Sequence, residues 1–239
     1  MNVALVSGAA GFLGRHALRA LGARGFQVHG ISRRPPRDES CIWHEADLLE
    51  EESVRGVLER LQPSHLLHLA WETRHDRYWT SPENLRWVEA TTTLCRQFHA
   101  AGGRRLVCAG TCAEYSWDDA VLGHAPIDES RTPRQPATPY GIAKNAAFEL
   151  LSAYCGSAGL SLAWGRVFFP YGPGDRRPTL IPSTIRALRE GRPALCTHGR
   201  QQRDFIHVAD VGRAFAAVLG SEVTGPINIA TGIATSIGE

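Results

Sequence analysis

The stretch NVALVSGAAGFLGRHALRALG, residues 2–22, decides the fold. Residues 2–7 are an apolar, valine-containing run typical of a buried strand, and residues 12–24 have the apolar spacing of a helix. Between them SGAAGFLG, residues 7–14, spaces its glycines as GxxGxxG. Glycines at such a turn permit a tight bend and let a pyrophosphate approach the free N–H groups of the helix. The stretch therefore predicts the first unit of a dinucleotide-binding sheet.

The same alternation of strand and helix continues along the chain. Further strands are predicted at residues 27–32, 41–45, 65–70, 104–109 and 160–168. Helices are predicted at residues 51–61, 82–101 and 140–157. Strands that alternate with helices form a parallel sheet with helices on both faces. We therefore expect an α/β fold with a doubly wound parallel sheet, of the Rossmann type.

The regular alternation of strands and helices ends at residue 170. The predicted features are a turn cluster at 171–175, a helix at 181–190, strands near 194–197 and 205–208, a helix to 219 and a strand at 226–230. We expect an NAD(P)-binding Rossmann domain over residues 1–169. Residues 170–239 form a smaller substrate-binding region, interleaved with the last Rossmann elements. Residues 235–239 resemble the start of another helix, so this region is predicted to be incomplete.

Composition excludes several classes of protein. Of the 239 residues 43% are hydrophobic, which is too apolar for a disordered chain. The net charge of +2 indicates neither a nucleic-acid-binding nor a membrane-binding surface. No signal peptide or membrane span is evident. The six cysteines form no CxxC pattern, which is typical of reduced thiols packed as small hydrophobic residues, and we expect a cytoplasmic protein.

The end of the second predicted strand bears on the choice of cofactor. An NAD-binding unit places an acidic residue there to hold the ribose 2′-hydroxyl. This chain has Ser32, Arg33 and Arg34 instead. Because arginine binds phosphate through several N–H donors, the segment favours NADP, with its 2′-phosphate, over NAD. The alternative is that both arginines are solvated surface charges and that NAD is bound.

A tyrosine and a lysine one helical turn apart indicate acid–base chemistry. Tyr140 and Lys144 share a helix face, and Lys144 is the only lysine among 26 basic residues. A free tyrosine has a pKa near 10, and a nearby ammonium lowers it toward the working range. The compact lysine ammonium can also hydrogen-bond a ribose. Thr111, after the strand predicted at 104–109, is the candidate partner that polarises a carbonyl.

Together these motifs resemble the extended short-chain dehydrogenase/reductase family, in its nucleotide-sugar epimerase, dehydratase and ketoreductase branch. The resemblance includes YGPG at residues 171–174 and QRDFIHV at 202–208, and it covers essentially the whole chain. It implies that Thr111, Tyr140 and Lys144 form the catalytic triad, the latter two also touching the cofactor, and that Arg203 binds the substrate diphosphate. It implies further cofactor contacts at Gly8, Gly11, Phe12, Leu13 and Gly14 for the pyrophosphate, Asp47 and Leu48 for the adenine, Leu69 and Ala70 along the channel, and Val167 and Phe168 beside the nicotinamide.

Departures from the family pattern narrow the expected activity. Cys112 and Ala113 replace the acidic pair of the 4,6-dehydratases, so dehydration is not expected. Phe169 replaces an asparagine that contacts substrate, and Trp71 replaces a small residue beside the nicotinamide. With the NADP preference, these features favour reduction of a nucleotide-linked 4-keto-6-deoxyhexose, with hydride from NADPH and a proton from Tyr140.

The same residues are compatible with other functions. The alternatives are an NAD-dependent nucleotide-sugar 4-epimerase and a non-catalytic NADP-sensing regulator, whereas a Rossmann methyltransferase would not need Tyr140 and Lys144. His65 and His68 lie on opposite faces of a strand, so no metal site is predicted. Trp43, Trp79 and Trp87 are interpreted as core or pocket walls. The resemblance also implies a homodimer through the helices predicted at 82–101 and 140–157.

Overall fold

Seven parallel strands form the main sheet of the computed structural model, which describes residues 2–38, 40–74, 77–118, 126–175, 179–194 and 198–238. Four further strands form two small sheets. In chain order all the described strands are β1 (Val3–Ser7), β2 (Gln27–Ser32), β3 (Ile42–Glu45), β4 (His65–His68), β5 (Arg105–Thr111), β6 (Ser161–Val167), β7 (Phe169–Tyr171), β8 (Gln202–Arg203), β9 (Phe205–His207), β10 (Gly225–Ile229) and β11 (Thr235–Ser236). The sheet order is β3-β2-β1-β4-β5-β6-β10. This confirms the predicted doubly wound α/β fold.

Helices cover both faces of the sheet. They are α1 (Phe12–Gly22), α2 (Glu51–Leu61), α3 (Glu83–Ala100), α4 (Pro139–Ala158), α5 (Leu180–Arg189) and α6 (Val208–Leu219), with a short 3-10 helix at Cys112–Glu114. Helices α1 and α6 pack together on one face, and α2, α3 and α4 pack on the other. At the crossing of α1 and α6, a Cβ on Gly212 would lie 2.7 Å from the carbonyl carbon of His16. Glycine therefore permits these two helices to approach closely.

The centre of the sheet is buried on both faces. All seven residues of β5 are buried, as expected for a parallel strand covered by helices. His68, at the end of β4, lies between the hydroxyl oxygens of Ser7, 2.6 Å away, and Thr91, 2.9 Å away. Burial lowers the pKa of His68 to about 3. This imidazole is therefore neutral and links the sheet to α3.

The chain after residue 170 contributes to the main sheet and to two small ones. Strand β10 pairs with β6 in the main sheet, whereas β7 pairs with β9 and β8 pairs with β11. The helix start predicted at residues 235–239 is wrong for residues 235–238. The backbone of Thr235 and Ser236 pairs antiparallel with β8, and the Ile237 N–H donates to the Gln201 carbonyl. The predicted boundary at residue 169 stays a prediction.

Three further predictions concern the strand at 194–197, the cysteines and membrane-spanning helices. Residues 195–197 of the strand predicted at 194–197, and Cys196 with them, lie outside the described residues. The five described cysteines are free thiols, and the Cys95 and Cys155 sulfurs are 3.8 Å apart between α3 and α4. Within the described part of the chain no helix is long and apolar enough to cross a bilayer.

Candidate active site

The glycine turn fits closely against the next strand of the sheet. Gly8 has φ +67°, and a Cβ there would lie 2.8 Å from the backbone nitrogen of Ala70. Helix α1 then begins after Gly11, with no side chain that caps it and no acidic residue in its first turn. The positive end of the helix dipole is therefore left for an anion.

A cavity of about 780 Å³ runs along the carboxyl ends of the parallel strands. Ligands of open α/β sheets bind at this edge. The predicted site residues that line it are Gly8, Gly11, Phe12, Leu13, Gly14, Ser32, Arg33, Asp47, Leu48, Leu69, Ala70, Thr111, Tyr140, Lys144, Val167, Phe168, Phe169 and Arg203. Arg34, which is exposed like Arg33, is not among the residues that line the cavity. The functional roles of these residues stay predictions.

The first turn of α4 brings Tyr140 to the end of β5. The Thr138 hydroxyl caps the helix by accepting a hydrogen bond from the Gly141 N–H at 3.1 Å. A Cβ on Gly141 would lie only 2.3 Å from the Ala113 carbonyl oxygen, so glycine permits the close approach. The Tyr140 N–H donates to the Trp79 carbonyl at 3.1 Å. These contacts place Tyr140 in the cavity wall together with Thr111.

Burial, rather than the lysine, dominates the ionisation of Tyr140. Removal from water raises the pKa of this phenol, the neighbouring Tyr78 raises it further, and the hydrogen bond with Thr111 opposes the rise. The expectation that an ammonium lowers this pKa into the working range is therefore wrong for this arrangement. The physical reason is desolvation, which disfavours the phenolate. Tyr140 keeps its proton at neutral pH.

Lys144 is buried beneath an aromatic ring. Its Nζ donates to the Ala109 carbonyl at 2.8 Å and lies 3.9 Å from the centre of the Trp71 ring, a cation–π distance. Burial lowers the pKa of Lys144 to about 8, while the Glu114 carboxylate raises it. The large residue at position 71 therefore contacts the lysine directly, a role that its position in the sequence did not reveal.

An asparagine holds Trp71 and the neighbouring loop together. The Trp71 indole N–H donates to Asn84 Oδ1 at 2.8 Å, and the Asn84 amide donates to the Tyr78 and Ser81 carbonyls at 2.8 and 3.0 Å. Asn84 is buried in the first turn of α3. This one side chain therefore fixes the wall formed by Trp71 and the loop that carries Trp79.

Glu114 organises the polar side of the site. Its carboxylate accepts hydrogen bonds from the Thr111 N–H at 2.9 Å, the Trp164 indole at 2.9 Å and Arg166 Nε at 2.7 Å. The side chains of Glu114 and Arg166 are both fully buried. Sequence reasoning missed Glu114, although Thr followed three residues later by Glu is the pattern of a capping box, which the structure shows at Thr111.

Arg203 lies in the cavity wall beside two aromatic rings. Its guanidinium lies 5.2 Å from the ring centres of both Trp117 and Phe169, and its Nη1 donates to the Gln202 carbonyl at 2.7 Å. Trp117 comes from the segment after the 3-10 helix and was not predicted. Aromatic rings on two sides hold the guanidinium in the cavity wall, where it can meet an anionic group.

Comparison with known proteins identifies the class. Residues 4–230 match the NAD dependent epimerase/dehydratase family. The chain therefore belongs to this family, which confirms the extended short-chain dehydrogenase/reductase type and the prediction of an NAD(P)-dependent enzyme.

Individual relatives differ in activity. CDP-abequose synthase of Salmonella typhimurium is 29% identical over 225 residues, 90% of this chain and 69% of that protein. A 3-diazoavenalumate denitrifying reductase of a Streptomyces species is 30% identical over 238 residues, 94% of this chain and 74% of the relative. The structure of MoeE5 with UDP-glucose and NAD is similar over the whole chain and 79% of its own length, with 34% identity and a TM-score of 0.84.

The buried ion pair can be tested by removing one charge. In Glu114→Gln, the guanidinium of Arg166 is left without a counter-charge in a dry interior, so we expect the free energy of unfolding to fall by about 3 kcal/mol. Urea denaturation measures the change. The double variant Glu114→Gln/Arg166→Met removes both charges and is expected to recover most of the loss. Equal destabilisation of the single and double variants would show that packing, not charge, sets the cost.

Lys144 should make stability depend on pH. Its folded-state pKa of about 8 lies below the unfolded value near 10.4, so between these values the unfolded chain binds more protons. The free energy of unfolding of the parent protein should therefore rise with pH in this range, by up to about 1.4 kcal/mol per unit, relative to Lys144→Met. Urea denaturation of both proteins from pH 7.5 to 9.5 measures the difference. A difference that does not change with pH contradicts the prediction.

Proposed function

We propose that the chain is an NADPH-dependent reductase of a nucleotide-linked 4-keto-6-deoxyhexose. The observation that carries this proposal is the half-buried Tyr140 side chain, which lines the cavity together with Thr111 and whose phenol has a pKa raised by burial, so that the protonated form is favoured. A reductase needs a proton donor for the carbonyl oxygen, whereas an enzyme that begins by oxidising an alcohol needs a base there. The protonated phenol suits the first task.

The residues around the cavity fit a dinucleotide cofactor. The N-terminus of α1, free of capping and acidic side chains, would hold the pyrophosphate, with Gly8 allowing the loop its close turn. Ser32 and Arg33 line the cavity where the ribose 2′-phosphate of NADP would lie. A bound nicotinamide supplies the hydride. These contacts support NADP, while MoeE5 was solved with NAD.

The reaction requires the protein to place and protonate the carbonyl oxygen. Thr111 and Tyr140 are the two hydroxyls at the end of β5, and they would hold that oxygen between them. As negative charge develops on the oxygen, Tyr140 would donate its proton. The Lys144 ammonium, which also lines the cavity, would hydrogen-bond a ribose of the cofactor. Arg203, which also lines the cavity, would meet the diphosphate of the substrate.

Two alternative functions would use the same cavity. An NAD-dependent nucleotide-sugar 4-epimerase is compatible with the family match and with the cofactor of MoeE5. A non-catalytic NADP-sensing regulator would use the same cofactor residues. The intact set of Thr111, Tyr140 and Lys144 favours an enzyme over a regulator.

The exposed Leu85 of α3 and Leu150 of α4 are apolar groups that a homodimer through these helices would cover.

Turnover distinguishes the three functions. We expect NADPH to be oxidised in a one-to-one ratio by a nucleotide-linked 4-keto-6-deoxyhexose, and Tyr140→Phe to lower kcat at least about 100-fold while NADPH binding is retained. Absorbance at the NADPH band measures the oxidation ratio and kcat, and quenching of tryptophan fluorescence measures NADPH binding. The control Tyr154→Phe removes a phenol from the same helix outside the cavity and should retain activity. Conversion of an unoxidised sugar nucleotide without net redox change would indicate the epimerase, and cofactor binding with no turnover the regulator.

Cofactor preference can be tested at two adjacent arginines. We expect NADPH to bind at least tenfold more tightly than NADH, about 1.4 kcal/mol, as measured by quenching of tryptophan fluorescence. Arg33→Ala should abolish most of this preference, because Arg33 lines the cavity. Arg34→Ala, one residue away and outside the cavity, is the matched control and should retain it. Equal binding of NADH and NADPH by the parent protein contradicts the NADP assignment.

A further inference from the structure

The guanidinium of Arg203 lies against two aromatic rings in the cavity wall. It is 5.2 Å from the ring centres of both Trp117 and Phe169, and those two centres are 5.8 Å apart with the rings inclined at 74°. The three groups therefore form a nearly equilateral triangle. A guanidinium in this position is attracted by the π-systems of both rings.

The two rings come from different parts of the chain, and each has its own support. The Trp117 indole N–H donates to the Cys112 carbonyl at 2.9 Å, which ties the ring to the start of the 3-10 helix. Phe169 is in β7, where it pairs with Phe205 of β9, and the centres of those two rings are 6.0 Å apart. Both rings are thus held by contacts other than the one with the guanidinium.

The positive charge of Arg203 is held without being neutralised. Within the described part of the chain Arg203 forms no ion pair, and its Nη1 donates only to a neutral backbone carbonyl. The neighbouring Asp204 carboxylate accepts instead from the N–H groups of Thr231 and Gly232, at 2.9 and 2.7 Å. Of the described residues that line the cavity three are cationic, and Asp47 is the only carboxylate. An uncompensated guanidinium in such a wall is suited to bind an anion.

Arg203 lies close to the end of β5. Burial raises the pKa of the Cys112 thiol, and the Arg203 charge opposes that rise, so the two groups are near each other. Cys112 directly follows Thr111, and all three residues line the same cavity. Arg203 is therefore within reach of the same ligand as Thr111.

We propose that Trp117 and Phe169 are positioning residues that hold the Arg203 guanidinium ready to bind the diphosphate of a nucleotide-linked ligand. The nature of that ligand rests on the proposed function, whereas the positioning concerns binding and not turnover. A guanidinium that is held in advance loses less side-chain entropy when the anion binds. The ring at position 169, where the family pattern has an asparagine, thus acts through Arg203.

Nucleoside diphosphates test the proposal without a sugar and without a reaction. UDP, CDP, dTDP, GDP and ADP are titrated calorimetrically into the protein saturated with whichever of NADP⁺ and NAD⁺ binds more tightly, and the tightest diphosphate is used for the variants. We expect Arg203→Met to weaken its binding at least about tenfold, or about 1.4 kcal/mol. Trp117→Leu and Phe169→Leu should each weaken it at least about threefold, within the range of one cation–π contact. Retained binding of the dinucleotide shows that each variant is folded.

A double-variant cycle separates positioning from a general loosening of the cavity. In the Arg203→Met background, adding Trp117→Leu or Phe169→Leu should change the Kd of the diphosphate by less than about twofold, because the residue through which both rings act is gone. An equal loss of affinity in both backgrounds would show a merely structural effect and overturn the proposal. An unchanged Kd in both single ring variants would overturn it as well.

Two matched controls lie outside the cavity. Arg200→Met removes an exposed cation three residues away, and Trp43→Leu removes a partly buried indole. Both should retain the Kd of the parent protein. An unchanged Kd in Arg203→Met, or no binding of any nucleoside diphosphate, would refute the anion site and the positioning role together. No arm measures NADPH oxidation, so the reductase can fail or succeed separately.

Discussion

The buried pair of Glu114 and Arg166 is the interaction on which the site depends. One carboxylate receives the backbone N–H of Thr111 from β5 and the side chains of Trp164 and Arg166 from β6. Two ionised groups are tolerated there because each has its partner and because further hydrogen bonds satisfy the carboxylate. The ends of the two central strands are therefore fixed relative to each other by charge as well as by the hydrogen bonds of the sheet.

The same carboxylate acts on the ionisable groups nearby. Glu114 raises the pKa of Lys144 against the effect of burial, so the ammonium keeps part of its charge near neutral pH. No comparable compensation reaches Tyr140, where burial dominates and the phenol stays protonated. The Glu114 carboxylate thus favours the charged form of Lys144 and disfavours the phenolate of Tyr140.

Much of the fold was predictable because the determining patterns are local. The glycine turn after β1 and the one-turn spacing of Tyr140 and Lys144 act over fewer than ten residues, and both were read from the sequence. The small strand at Thr235 was not, because its partner lies in β8, some thirty residues earlier. Burial of Tyr140 and the absence of Arg34 from the cavity were missed for a related reason. Sequence spacing shows which residues share one face of a helix or strand, but not how strongly the fold buries each side chain.

The hydrogen bonds of Asn84 have a consequence for how this enzyme could diverge. Its side chain joins Trp71, which covers Lys144, to the loop of Trp79, whose carbonyl receives the Tyr140 N–H. This wall of the cavity and the proposed proton donor thus share one anchor. If Tyr140 donates the proton as proposed, a substitution that reshapes the wall displaces the donor as well. New specificity at this wall and retained turnover must therefore be acquired together, through paired changes rather than single ones.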